Sequence, residues 1–263
     1  MLIRRAQLAM QASNGGVIVP PLEELSSDGP CGLKRLIAVH REISNMGAPW
    51  VLKHGGFVHN EYLLRPDHVI HFRRALRAYR ARNICEIGFN MGHGAALWLE
   101  GTDAVLYSFD LPVTGYAIAA RNLSAALYPG RVHFHDGTSA LTVPEFVKSI
   151  QAGLSPACDL WYVDGMHSGS LVLHDMRYAV KASHNGTLII ADDCTRHWND
   201  VPTAWHRLNK EYTLLSNISP YWWRVLPTPT YVYTRHSHVS GWCAGLLLQT
   251  APAGPSRDEG RAG

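Results

Sequence analysis

The sequence predicts an α/β fold built on a doubly wound, mostly parallel sheet, with an antiparallel last strand and an N-terminal helical extension. Three observations lead there. Short apolar runs recur at "NICEIG" (83–88), "AVLYSFD" (104–110), "RVHFH" (131–135), "CDLWYVD" (158–164) and "TLIIADD" (187–193). Helix-compatible stretches separate them, and strand alternating with helix means parallel strands with helices on both faces. Finally, "YWWRVLPTPTYVYTRH" reads as two strands around a Pro-rich turn, an antiparallel addition that brings the count to seven. The resulting sheet is Rossmann-like.

Taken in order, residues 1–60 are punctuated by "NGG", "VPP", "SDGPCG" and "KHGGF" and read as an extension with a short helix over Leu33–Ile43. The segment "KHGGFVHNEY" (53–62) has the glycine hinges of a lid. From Pro66, Val69, Phe72, Leu76 and Tyr79 recur at helical spacing, with Arg73, Arg77 and Arg80 on another, solvated face. The remaining helices are expected over 92–100, 115–127, 143–152, 169–182 and 200–210. The main domain spans 61–240, and 241–263, ending "TAPAGPSRDEGRAG", reads as a partly disordered tail. Trp222 and Trp223 fall on the late strands, as core or as contacts of a homodimer.

Of 263 residues, 46% are hydrophobic and 17% charged, which describes an ordinary globular chain rather than a disordered one. A net charge of +3 does not by itself indicate nucleic acid binding, for which a concentrated basic face would be wanted. No apolar run reaches the roughly 18 residues that span a bilayer. Five scattered cysteines fit free thiols in a reducing compartment, so a cytoplasmic location is expected. The basic opening "MLIRRAQLAMQAS" reads as an accessory helix or frayed terminus, with a targeting peptide as the alternative.

In such a sheet, ligands sit at the carboxyl ends of the strands near the switch point. Every run here ends on an acid: Glu86 before its glycines, Asp110, Asp136, Asp164 and Asp192-Asp193. The loop after the first strand, "EIGFNMGHG", is E-x-G-x-x-x-G-x-G rather than the dinucleotide G-x-G-x-x-G, and no P-loop Gly-Lys-Ser/Thr follows. A pyrophosphate wants glycine amides and little negative charge. A cleft ringed with carboxylates instead suits a cationic ligand such as S-adenosylmethionine (SAM), which carries a sulfonium and an ammonium.

"EIGFNMGHGAALWL", "YSFDL", "CDLWYVDGMHSGSLVLHDMRYA", "GTLIIADDC" and "DVPTAWHRL" together resemble class I SAM-dependent methyltransferases of the family-24 type, related to catechol and sugar O-methyltransferases. The resemblance covers about residues 82–210. It implies that Glu86, Gly88 and Gly92 bracket the methionine portion of SAM with Asn90 beside them, where the usual pattern has a glycine. It also implies that Asp110 accepts the ribose hydroxyls and that Asp136, Thr138 and Ser139 face the adenine. Turn capping is the alternative role for Asp110 and Asp136.

The resemblance further implies transfer of a methyl group to a hydroxyl of a small molecule, a phenol, sugar or natural product. Asp164, Asp192 and Asp193 are the expected ligands of a divalent cation, Mg2+, which such carboxylate oxygens suit. In relatives without a metal the acid at Asp164 holds the SAM ammonium instead. His167 stands where the metal-dependent relatives carry a lysine base; imidazole can take that role at neutral pH, or can cap the following helix or touch SAM. His197 and Trp198 follow the acidic pair as candidate walls of the acceptor pocket. Cys194-x-x-His197 has the spacing of half a zinc site without a second half. A silent SAM-binding scaffold, or RNA methylation through the Arg73–Arg82 helix, are the competing readings.

Overall fold

The computed structural model describes residues 33–54, 69, 72–73, 76, 80–111, 115–194, 199–212, 215–216 and 243–247. Among them, seven strands form one sheet: β1 (Asn83–Ile87), β2 (Val105–Asp110), β3 (Val132–Asp136), β4 (Cys158–Val163), β5 (Ser183–Ala191), β6 (Leu215–Ser216) and β7 (Cys243–Leu247). Their spatial order is β3-β2-β1-β4-β5-β7-β6. β1 to β5 are parallel, whereas β7 runs antiparallel to β5, pairing Leu188 with Leu246 and Ala191 with Cys243. The strand order reverses between β1 and β4, which opens a crevice above their carboxyl ends.

Among the described residues the antiparallel part of the sheet is Leu215–Ser216 and Cys243–Leu247. Residues 221–236, with Trp222 and Trp223, fall outside the described residues, while Cys243–Leu247 supplies β7. The sheet therefore runs past residue 240, and this part of the expected tail is a strand. Ala244 and Leu247 leave water where this strand pairs with β5.

Strand parity sorts the interior into two cores. Ile84, Leu106, Leu160, Leu188 and Ile190 face one way, onto α1 (Leu33–His54) and α2 (His93–Leu99). Cys85, Ile87, Phe109, Trp161, Val163 and Ile189 face the other, onto α4 (Ser139–Gln151), α5 (Ser170–Lys181) and α6 (Asp200–Glu211). The crossover α3 (Gly115–Leu127) packs beside α1. Each fully buried aliphatic side chain stabilises by about 1.5–3 kcal/mol. The first core is pinned by Phe72, Trp98 and Tyr162, whose ring centroids lie 5.1–5.7 Å apart.

Several local expectations change. The first helix is longer than 33–43 and runs over Leu33–His54, with Leu36, Val39 and Ile43 buried along it. α4 starts at Ser139 rather than 143 and carries Pro144 inside; the residue whose carbonyl that proline leaves unbonded is Ala140, still in the first turn. Arg73 is not on a solvated face. It is buried, and its guanidinium donates to the carbonyls of Leu97 (3.1 Å) and Glu100, capping the end of α2. Cys85 and Cys158, buried on neighbouring strands with Cα atoms 5.9 Å apart, are joined as a disulfide, and Cys194 is disulfide-bonded too. The expectation of free thiols throughout is corrected at these positions.

Candidate active site

The crevice is framed by a line of backbone hydrogen bonds that extends the sheet beyond the strands. Gly88 N donates to Phe109 O (2.9 Å), Asp164 N to Ile87 O (2.8 Å), Asp192 N to Val163 O (3.0 Å) and Gly137 N to Asp110 O (3.1 Å). These bonds hold the turns after β1 to β5 at one level. Gly88 sits at the switch point with φ +98°, and a Cβ there would lie 2.1 Å from the Asp164 carbonyl oxygen. Only glycine permits both that conformation and that approach.

The five acidic strand ends turn out to have different tasks. Glu86 is fully buried on the α2 side of β1, where Trp98 Nε1 (3.3 Å) and Ser108 Oγ (3.4 Å) reach its oxygens. A Cβ on Gly94 would come within 2.0 Å of Glu86 Oε1, so that glycine makes room for the carboxyl group. Burial raises the pKa of Glu86 well above the usual range, helped by the charges of Asp164 and Asp110. Glu86 thus does not open on the crevice as expected. Strand parity was the signal: it shares a face with Ile84, under α2.

Asp110 Oδ2 accepts hydrogen bonds from the amides of Phe89 (2.9 Å) and Asn90 (2.7 Å), and Oδ1 from Leu111 N (2.6 Å). It therefore shapes the glycine loop, and its remaining lone pairs are what it can offer a ribose. Asn90 is exposed at φ +47°, a left-handed conformation that asparagine tolerates. Gly92, also left-handed, caps α2. Asp136 pairs with the Arg121 guanidinium, which lies over the Phe134 ring. Thr138 caps α4 through its carbonyl, and the Ser139 hydroxyl turns inward to Asp175 Oδ2 (3.0 Å).

Past β4 and β5 the arrangement changes character. His167 Nδ1 lies 2.9 Å from Asp193 Oδ2, and its Nε2 3.3 Å from Asp164 Oδ1, the latter an ion pair off hydrogen-bonding angle. All three side chains are about three-quarters buried. Burial works against charge on the imidazole, but the two flanking carboxylates outweigh it and push the His167 pKa up to about 10. At neutral pH the residue is an imidazolium, not a free base. Asp193 adopts φ +53°, a cost tolerated where side-chain direction matters. The turn that carries His167 ends at Gly169, whose N–H donates to Asp200 Oδ2 (2.7 Å) at the start of α6.

One ligand atom each from Asp164, His167 and Asp193 fall within 4.8 Å of one another, a group that can hold a cation. Asp192 is not in it. Its Oδ2 accepts from the Tyr162 hydroxyl (2.6 Å) and its Oδ1 from Asp193 N (2.9 Å), so it braces the turn. Of Asp164, Asp192 and Asp193, the three read from sequence, the group contains the first and last, with His167 in place of Asp192. His197 and Trp198, and the lid segment from residue 55 on, lie outside the described residues. Sequence reasoning missed Tyr162 and Asp175; the latter is visible as an acid on the apolar stripe Val172, Met176, Ala179 of α5.

Comparison with known proteins follows this geometry. Residues 85–194, which hold the glycine loop and both carboxylates of the cation group, match a family model described as a methyltransferase domain, family 24. No curated protein matches the chain. Among solved structures, a candidate O-methyltransferase from Klebsiella pneumoniae aligns at 17% identity and a TM-score of 0.54, over 80% of this chain and 90% of that one. The O-methyltransferase TomG from Streptomyces achromogenes, involved in tomaymycin synthesis and solved with SAM, aligns at 14% identity and 0.53, over 80% and 89%. The methyltransferase PaMTH1 of Podospora anserina, bound to S-adenosylhomocysteine, aligns at 16% and 0.50, over 89% and 100%. At these identities the likeness speaks for the fold. Together with the matched segment it makes residues 85–194 a methyltransferase domain of family 24, on the class I fold of SAM-dependent methyltransferases.

Proposed function

We propose that this protein transfers a methyl group from SAM to a hydroxyl of a small molecule, with Asp164, His167 and Asp193 at the reacting end. The observation that carries the proposal is that trio, held at the switch point beside a left-handed Gly88. Gly88 leaves room for a ligand to lie against bare backbone, which supports binding of the methionine portion there. The exposed Asn90 stands beside it, and Asp110 offers oxygens to the ribose. In this reading the turn at Asp136–Ser139 meets the adenine through its backbone, since the Ser139 hydroxyl is engaged by Asp175. The domain in this reading runs from about residue 61 to Leu247, with α1 closing one flank.

The donor set fits a divalent cation: two carboxylates and an imidazole nitrogen, which suits Mn2+ at least as well as Mg2+. When bound, such a cation would lower the pKa of the acceptor hydroxyl. His167 must then give up its proton, whether it ligates or serves as base, so cation and imidazolium compete for the same two carboxylates. A metal-free version is favoured by that imidazolium, because the site already holds a positive charge of its own. In it Asp164 is left to meet the SAM ammonium, and catalysis rests on alignment, which can recover about 7–11 kcal/mol.

Methyl transfer from labelled SAM to a panel of phenols and sugars, with EDTA and with added Mn2+ or Mg2+, tests both versions. Activity lost in EDTA and restored by metal supports the first, and activity indifferent to EDTA the second. SAM binding without transfer to any acceptor would favour a silent scaffold, and no SAM binding by calorimetry would end the proposal.

A further inference from the structure

Asp175 of α5 is a fully buried carboxylate that none of the roles above uses. Its Oδ2 accepts the Ser139 hydroxyl at 3.0 Å. The same oxygen would lie 3.7 Å from a Cβ on Gly165 and Ile87 Cγ2 2.9 Å from it, so the bare side of the turn after β4 faces this carboxylate, with Ile87 leaving no room for a side chain between them. One oxygen thus bonds one turn and faces the bare side of another. The first starts α4 and follows Asp136, on the adenine side; the second separates Asp164 from His167, on the reacting side. Its other oxygen lies 3.4 Å from His174 Nδ1, the nearest ionisable neighbour. A carboxylate removed from water is retained against a desolvation cost, and here burial pushes its pKa up to about 6 while the Ser139 and His174 contacts work the other way.

We infer that Asp175 is a positioning residue for cofactor binding: by holding Ser139 and backing Gly165, it sets the spacing between the adenine-side turn and the Asp164–His167 turn. The inference rests on the SAM reading above and adds to it a side chain that never touches the ligand. Ser139 then acts through its hydrogen bond to Asp175, as a tether for the first turn of α4. The negative charge beneath that helix start also matches the positive end of its dipole.

The test is a double-mutant cycle on SAM affinity, with Asp175→Leu, Ser139→Ala, their combination and Asp175→Asn measured by calorimetry, alongside KM and kcat. Each of the first two is expected to weaken SAM binding about tenfold, the worth of one hydrogen bond to a charged group, and the pair to be no worse than the poorer single. KM for SAM should rise with them. Asp175→Asn should restore most of the affinity, since its amide oxygen can accept from Ser139 and its NH2 can donate to His174. Should Asp175→Leu fail to fold, Ser139→Ala against Asp175→Asn carries the test. Full additivity, or unchanged SAM affinity in a folded Ser139→Ala, overturns the inference and leaves the SAM reading standing. A wild-type protein that does not bind SAM overturns both.

Discussion

Replacing Gly88 with alanine tests the crevice most directly. The new Cβ would start 2.1 Å from the Asp164 carbonyl oxygen and 2.7 Å from its carbon, both backbone atoms that no rotamer change can move aside. The turn must retreat by about 1 Å to reach ordinary contact, which breaks or stretches the Asp164 N to Ile87 O bond of 2.8 Å. Losing that bond costs about 0.5–1.5 kcal/mol. Holding an L-residue at φ +98° adds about 1–2 kcal/mol. The sum, about 2–3 kcal/mol, should lower the urea midpoint by about 1 M at a slope near 3 kcal/mol/M. Gly153→Ala is the matched control: its φ is +72° but nothing lies within 4 Å of its added Cβ, so only the conformational part applies, about 1 kcal/mol. Urea unfolding followed by tryptophan fluorescence reads both. Equal midpoints for the two variants would refute the steric reasoning, and unchanged SAM affinity in Gly88→Ala would remove Gly88 from the cofactor site.

Three further outcomes follow from named contacts. His167 has a folded-state pKa of about 10 against an ordinary 6.5, so its protonation stabilises the fold; that contribution is complete below about pH 6.5 and is lost as pH climbs towards 10. About 2 kcal/mol, reduced by the partial exposure of the trio, should disappear over this window and be absent in His167→Gln. Asp164→Asn should bring the imidazole titration seen by NMR back towards its ordinary range; a midpoint still near 10 would place the source of the shift elsewhere. Tyr162→Phe should cost about 1.5–3 kcal/mol by stripping a 2.6 Å hydrogen bond from the Asp192 carboxylate, whereas a loss under 0.5 kcal/mol would show the bond to be dispensable.

The alternation of strands and helices was legible because short apolar runs separated by helix-compatible stretches admit few packings. The positions of Gly88, Asp110 and Asp164 at strand ends were legible for the same reason. What each acid does was not, because that depends on which lone pairs are already taken. Asp110 is drawn into the glycine loop by two amides twenty and twenty-one residues earlier, and Asp192 by a tyrosine thirty residues earlier. Neither partner can be chosen without the register between strands. Glu86, read as bracketing SAM, shares the face of Ile84 under α2, and its parity with Ile84 could have signalled that. His167 was read as a base, a helix cap or a SAM contact; that two acidic neighbours flank it and push its pKa up to about 10 is a consequence of geometry that spacing alone does not express.

The insertion of β7 between β5 and β6 has a consequence for biosynthesis. β5 leads straight into Asp192 and Asp193, yet one of its two edges stays open until the final pairing partner arrives more than fifty residues later. During translation that bare margin can recruit another nascent copy, the hazard of any uncovered strand. A polypeptide halted before residue 243 should therefore clump rather than dissolve, and a peptide spanning 243–247 added in trans should rescue it.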